Sequence, residues 1–228
     1  MPNKQIVVAL AGNPNSGKTT LFNNLTGAHQ HVGNWPGVTV EKKEGRCSYN
    51  GHDITVVDLP GVYSLTAYSP DEMVARNFIV NEKPDVVVDI VDATNLERNL
   101  YLSVQIMEME VPFILALNMM DEAEARKYKI DINIISHDMG APVVPMVANR
   151  NKGINELLEE IVRVAEGKVI TGVAKIEYGR ELEEEISRLT EAISASPLTR
   201  RYSPRWLAIK LFEGDDETIK KFEEVQND

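Results

Sequence analysis

A chain of 228 residues with 43% hydrophobic content can bury a sizeable core, as one large α/β domain or as an ordinary domain with a small appendage. Its 24 basic and 35 acidic residues leave a net charge of −11, which argues against general nucleic-acid binding or docking on anionic lipid but leaves room for a local basic patch. The single cysteine, Cys47, excludes an internal disulfide and suits a reducing cytosol.

No apolar run approaches the roughly 18 residues of a membrane helix. Met1-Pro2-Asn3-Lys4 lacks a signal-peptide pattern, so a soluble piece is expected. Ile6 to Leu10 reads as a strand, and Thr20 to Leu25 begins a helical pattern. Between them stands Gly12-Asn13-Pro14-Asn15-Ser16-Gly17-Lys18-Thr19, a Gly-x4-Gly-Lys-Thr phosphate loop in the strand-to-helix context that the motif requires. The glycines let successive N–H groups turn toward phosphate, and the positive end of the following helix adds to the attraction. Lys18 is expected on the β- and γ-phosphates, the Thr19 hydroxyl on Mg²⁺, and Thr20 at the edge of the nucleotide.

Gly27 to Gly37 is polar, and Gly33-Asn34-Trp35-Pro36-Gly37 is expected to hold no regular structure. Val38 to Tyr49 and His52 to Asp58 read as strands joined by a tight Asn50-Gly51 turn. Val86 to Val91 and Pro112 to Leu117 look like buried strands, with Val143 to Met146 a shorter one. Helices are expected over 70–81, 96–110, 121–128 and 153–166. Strands alternating with helices predict an α/β fold: a mostly parallel sheet with one antiparallel strand and helices on both faces. Past Gly167 no strand-like run appears. Val169 to Ile176 reads as a linker, and helices are expected over Tyr178 to Ala195, from Pro204 to Phe212, and over Glu217 to Val225. The division is therefore 1–168 for the nucleotide domain and 169–228 for a small all-helical domain.

A phosphate loop does not separate ATP from GTP; three further elements do, and they occur in the expected order. Asp58-Leu59-Pro60-Gly61 ends a strand, placing Asp58 near Mg²⁺ and the Gly61 N–H near the γ-phosphate. Thr39, with Gly37 and Val38 before it, either gives Mg²⁺ a hydroxyl when γ-phosphate is present or is a plain strand residue. Asn118-Met119-Met120-Asp121 closes a buried strand, and the Asp121 carboxylate can accept from the ring N–H and exocyclic amine of guanine, a donor pair adenine lacks. Met119 stands where Lys is usual, and its thioether can pack on the base. Val147-Ala148-Asn149 is where the Ala148 N–H would meet guanine O6; Val147 replaces the commoner Ser, which bears on loop stability and nucleotide residence time.

With these residues in place the chain resembles the N-terminal cytoplasmic G domain of the ferrous iron transport protein B family, FeoB, a Ras-like P-loop GTPase fold. The likeness also rests on Val32 to Thr39, Asp58 to Leu65, Tyr68 to Asn77 and Pro204 to Lys210. It implies a GTP-hydrolysing domain, GTP to GDP and phosphate, that regulates or powers Fe²⁺ uptake by an attached membrane-spanning part, at the cytoplasmic face of a prokaryotic membrane. It further implies small accessory proteins of the iron-uptake system and leaves homo-oligomers open. The position of a Ras-like water-orienting Gln is Val62, so switch-loop backbone must orient water. Asn15 matches the family's potassium-binding asparagine. Either it binds K⁺ with carbonyls near Gly33 to Trp35, neutralising charge as an arginine finger would, or it only hydrogen-bonds within its loop. The catalytic set implied is Asn15, Lys18, Thr39 and Gly61, with a slow, K⁺-stimulated rate.

His29, His31, His52, His137 and Cys47 form no ligand spacing and read as solvated or structural. Glu181, Glu183, Glu184 and Glu185 read as a solvated helix face, Trp206 as core of the helical appendage, and Trp35 as a cover for nucleotide or a partner contact. Two rivals remain: a ribosome-assembly or tRNA-modifying GTPase, and a non-catalytic guanine-nucleotide sensor. Residues 169–228 carry 9 Lys/Arg against 13 Asp/Glu, which disfavours the first, so no nucleic-acid partner is expected.

Overall fold

The computed structural model describes residues 5–172, 174 and 176–227. The first four residues, Val173 and Lys175 of the expected linker, and Asp228 lie outside it.

In chain order the elements are β1 (Gln5–Gly12), α1 (Lys18–Thr26), β2 (Gln30–Asn34), β3 (Glu41–Tyr49), β4 (His52–Asp58) and α2 (Pro70–Asn77). They continue with β5 (Val86–Asp92), α3 (Leu96–Glu108), β6 (Phe113–Asn118), α4 (Met120–Ala125), α5 (Ile132–Met139), β7 (Val143–Pro145) and α6 (Ile154–Ala165). The C-terminal segment contributes α7 (Arg180–Ile193), α8 (Pro204–Phe212) and α9 (Asp216–Asn227). A wider π-helical turn, Phe78–Glu82, prolongs α2 to the length that the pattern predicts.

One seven-stranded sheet runs in the order β2-β3-β4-β1-β5-β6-β7. Only β3 opposes the rest, pairing antiparallel with both β2 and β4. Its turn into β4 has positive φ at Asn50 (48°) and Gly51 (81°), as a two-residue hairpin of primed type demands. β1 lies between β4 and β5, both parallel to it, so the loop leaving β1 opens where the chain's path reverses across the sheet.

The period of two in β1 separates the two cores. Ile6, Val8 and Leu10 face Leu21 and Phe22 of α1 and Leu157 and Ile161 of α6. Ala9 and Ala11 face the opposite layer, with Leu102 and Ile106 of α3. α2 starts on a complete capping box: Ser69 accepts from the Glu72 N–H while the Glu72 carboxylate accepts from the Ser69 N–H, with Pro70 in the first turn.

Several expectations are corrected. Gln30–Asn34, within a stretch expected to be irregular at Gly33 and Asn34, is an edge strand; all five residues are exposed, so no hydrophobic pattern announces it. The strand expected from Val38 begins at Glu41, and Trp35 to Val40 form the hairpin tip, closed by Trp35 N–H to Val40 O at 2.9 Å. A helix the periodicity missed, α5, is capped by the Asp131 carboxylate, which accepts from Asn133 and Ile134 N–H at 3.0 and 3.2 Å, and ends on left-handed Gly140. Trp206 and Leu207 do not form a separate appendage core. They join the layer on α2 and α3, while Ile186 of α7 packs on Ala208 and Ile209.

Charged groups reinforce that docking. Arg76 of α2, 1% exposed, is bound by Asp215 at 2.6 Å and by Glu217, and its guanidinium lies 5.8 Å from the Trp206 ring centroid. Glu183, expected on a solvated face, instead takes Arg205 in a fork at 2.7 and 2.8 Å and ties α7 to α8. Among the described residues no helix is long and apolar enough to cross a membrane.

Candidate functional site

The loop after β1 is shaped by close contact as much as by torsion. A Cβ at Gly12 would come within 2.7 Å of the Ile90 carbonyl oxygen, and one at Gly17 within 2.1 Å of Asn118 Nδ2. Gly17 (φ 97°) and Asn15 (φ 67°) are both left-handed, which turns successive N–H groups to one side. Gly17 caps α1 without a side-chain bond, and the first turn of α1 carries no acid, so its positive end is not neutralised locally. The side chains of Asn13 and Ser16 are 3% and 1% exposed, and none of their polar atoms has a hydrogen-bond partner. Trp35, His52 and Trp206 also carry unsatisfied buried atoms, but among the described residues only here do two such side chains fall in one loop with inward-turned N–H groups, which suits a polar ligand.

Lys18 pairs with Asp58, bringing the expected phosphate cation and the expected Mg²⁺ carboxylate together. Leu59 N–H to Leu10 O at 3.0 Å and Val62 N–H to Gly12 O at 3.3 Å lay the Asp58-Leu59-Pro60-Gly61 turn on the phosphate loop. A Cβ on Gly61 would sit 3.4 Å from Pro14 Cα. Thr19 and Thr20 are exposed on the first turn of α1.

The opposite wall is organised by Asn118. Its Nδ2 donates to Ser16 O at 2.9 Å, and its Oδ1 accepts the Ala148 N–H at 2.9 Å. One buried amide thereby joins the phosphate loop to the expected base loop. Met119 is left-handed (φ 60°) and half-buried. Asp121 is a quarter exposed, with Arg150 Nη2 at 3.3 Å from Oδ2. Val147 is buried and exchanges backbone bonds with Lys152 at 3.2 Å, which closes the loop that a Ser at this position was expected to help hold; Asn149 is exposed.

Three expected placements differ. The Ala148 N–H, assigned to guanine O6, is here given to Asn118. Thr39 lies in no strand; with Gly37 and Val38 it is exposed at the hairpin tip, on the order of 10 Å beyond Lys43, the residue opposite Asp58. Trp35 packs edge-on against Phe78, centroids 5.4 Å apart, with the Lys42 ammonium 5.1 Å from its ring. It covers the continuation of α2 rather than the phosphate loop.

Two residues were not singled out from the sequence. Asn24 of α1 donates from Nδ2 to Ala148 O at 2.7 Å, a second hold on the base loop. Gln105 of α3 accepts the Leu65 N–H at 2.6 Å. Each is one amide on an amphipathic helix, where nothing in spacing separates it from a surface residue. His52 lies 3.6 Å from Glu166 and His137 3.1 Å from Asp138. Among the described residues no group of three or more His, Cys, Asp or Glu could hold a metal ion.

This arrangement has close counterparts. The family described as "Ferrous iron transport protein B" matches residues 6–161, and "FeoB cytosolic helical domain" matches residues 178–228. The "Fe(2+) transporter FeoB" of Escherichia coli (strain K12) is 46% identical over 217 residues, 93% of this chain and 27% of the relative. The same name, identity and shares hold for the protein of Salmonella typhimurium. The chain thus spans about a quarter of the length of these curated relatives. Among solved structures, the cytosolic domain of the T. maritima FeoB iron transporter in a GDP form is 41% identical with a TM-score of 0.91, covering 99% of this chain and 87% of that one. The same T. maritima domain in a GMPPNP form gives 0.89 at 41% identity, covering 96% and 86%. Family matches over both segments, with a superposable fold at this identity, settle the lineage: the chain belongs to the ferrous iron transport protein B family.

Proposed function

We propose that this chain binds guanine nucleotide and hydrolyses GTP, as the cytoplasmic unit of a ferrous iron transporter whose membrane-spanning part lies outside this sequence. Residues 1–168 form the nucleotide domain and 169–228 the helical domain. The observation that carries the reading is Asn118, whose amide bonds Ser16 O and Ala148 N–H at 2.9 Å each and so holds phosphate loop and base loop as one site. Relatives support it: the T. maritima structures are GDP and GMPPNP forms, and an S. thermophilus NFeoB mutant is bound to mGDP.

The donor chemistry fits the expected groups. Thr19 and Asp58 offer the hydroxyl and carboxylate oxygens Mg²⁺ prefers, Thr39 would add its hydroxyl only if the hairpin tip moved toward them, and the Asn15 side chain offers K⁺ an amide oxygen. Bound there, these cations would neutralise charge on the phosphates. Lys18 and Asp58 neutralise each other here; with nucleotide bound, Lys18 would turn to phosphate and the Asp58 carboxylate would be available to hold Mg²⁺. Water attacks the γ-phosphorus, the bond to the bridging oxygen breaks, and GDP and phosphate leave. Val62 has no hydrogen-bonding side chain, so backbone groups around Gly61 orient the water. Asp121 selects guanine, since adenine lacks the ring N–H and exocyclic amine pair that its carboxylate would accept from.

Single-turnover hydrolysis measured in matched K⁺ and Na⁺ buffers tests this reading. Faster turnover in K⁺, abolished in Asn15→Ala, is expected. Equal rates in the two salts remove the potassium role, and absence of any turnover leaves a sensor rather than an enzyme.

A further inference from the structure

The loop from Asp58 to Ser69 has to hold backbone groups over the phosphates, and its path is set by what fixes its ends. The first end is the sheet: Asp58 closes β4, and Leu59 N–H bonds Leu10 O at 3.0 Å. The far end is gathered by Glu72, which accepts Ser64 Oγ–H at 2.8 Å and the Tyr68 N–H at 3.0 Å. Between these, Leu65 is 1% exposed in the core, and its N–H is taken by the Gln105 side-chain oxygen at 2.6 Å, a contact buried on both sides. Gln105 is itself 5% exposed, and its Nε2 reaches the Tyr101 hydroxyl only at 3.4 Å, so its oxygen is committed to Leu65.

Gln105 belongs to α3, and α3 is bolted to the sheet independently of the loop. Ser103 hydrogen-bonds Asp89 in the middle of β5, and Asn99 Oδ1 accepts the Asp92 N–H at 3.2 Å. The Leu65 bond therefore refers the loop to the same rigid sheet that carries the phosphate loop. Gly61 to Ser64 runs between these anchors: Val62 is buried, with its N–H on Gly12 O at 3.3 Å, the Arg98 guanidinium lies 4.1 Å from the Tyr63 ring centroid, and Ser64 is held by Glu72.

We propose that Gln105 is a positioning residue for hydrolysis: by pinning Leu65 it fixes the far end of the Gly61–Ser64 stretch and so sets where its backbone groups meet the attacking water. The proposal rests on the GTPase reading above. With no side chain at Val62 to orient water, catalysis depends on backbone placement, and displacements of about 1 Å in such groups cost up to about a hundredfold in rate.

The test uses the whole chain with Gln105→Met, which keeps the packing volume and removes the acceptor, and Gln105→Glu, which keeps an acceptor oxygen. Single-turnover hydrolysis is read beside GDP affinity and hydrogen exchange at the Leu65 amide. Expected are hydrolysis at least about tenfold slower in Gln105→Met, GDP affinity within about twofold, faster Leu65 exchange, and recovery of most of the rate in Gln105→Glu. An unchanged rate in Gln105→Met, GDP affinity falling in step with the rate, or no recovery in Gln105→Glu overturns it. If the parent chain hydrolyses no GTP, the functional reading fails first and the catalytic role of Gln105 with it, whatever the Leu65 exchange shows.

Discussion

Arg76 and Asp215 stand 139 residues apart in the chain and 2.6 Å apart in the structure, a buried ion pair joining α2 to the start of α9. α2 follows directly from the loop that carries Asp58 and Gly61, so the C-terminal helices are docked on the element next to that loop in the chain.

Removing one partner leaves a buried charge uncompensated, which is far costlier than losing a surface pair. Arg76→Ala is expected to destabilise the chain by about 3 kcal/mol or more in urea unfolding. Arg76→Lys should recover only part of this, since an ammonium cannot hold Asp215 and Glu217 with the guanidinium's fork. Full stability in Arg76→Ala would mean the docking is carried by Trp206 and Leu207 alone.

Stability should depend on pH with two opposed limbs. Burial pushes Asp215 and Glu217 upward, but bonds from Arg76 and Thr218 to the first, and from Lys221 and Arg76 to the second, outweigh it and hold both below their ordinary values of 3.8 and 4.5. Their contribution is present above those values and is lost as pH falls through the lower folded ones. Asp89 behaves oppositely: burial raises it to about 7 against a single lowering bond from Ser103. Between 3.8 and about 7 the folded chain binds the extra proton, so stability falls as pH rises, by at most about 1.4 kcal/mol per pH unit. Asp89→Asn, neutral throughout, should flatten most of that falling limb in denaturation curves from pH 4 to 8. Burial also raises Glu108, to about 6, leaving a smaller slope behind. An unaltered slope in Asp89→Asn would show that Asp89 is ionised in the fold.

Asn24→Ala should speed release of a fluorescent guanine nucleotide about fivefold, as expected for losing about 1 kcal/mol at one hydrogen bond to Ala148 O. Association should change little. Stopped-flow displacement reads both rates, and unchanged release would return the base loop to Asn118 alone.

The phosphate loop, the β3–β4 hairpin and α8 are legible because each depends on local chemistry: a Gly-rich turn, Asn50-Gly51, and Pro204 at the head of an apolar run. β2 is not, since an exposed edge strand forms by borrowing β3's backbone bonds and buries no side chain. α5 was legible in principle, through Asp131 at its start and Gly140 at its end, but its eight residues with Ile134 turned outward blur the period. Trp206 was read correctly as buried and wrongly as to what it is buried against, because no local pattern records which surface covers a helix. In the candidate site, spacing picks out the motif residues. The amides that fix their positions, Asn24 and Gln105, act across 124 and 40 residues and have no spacing to find.

Under the proposed function, one carboxylate, Asp121, selects guanine. Calorimetric titration of the chain with GDP and with ADP in Mg²⁺ tests it most directly, repeated in Asp121→Asn. GDP is expected to bind tighter than ADP by about a hundredfold, with loss of about 2 kcal/mol of that preference in the variant. Equal affinity for the two nucleotides, or a guanine preference that survives Asp121→Asn intact, would contradict it.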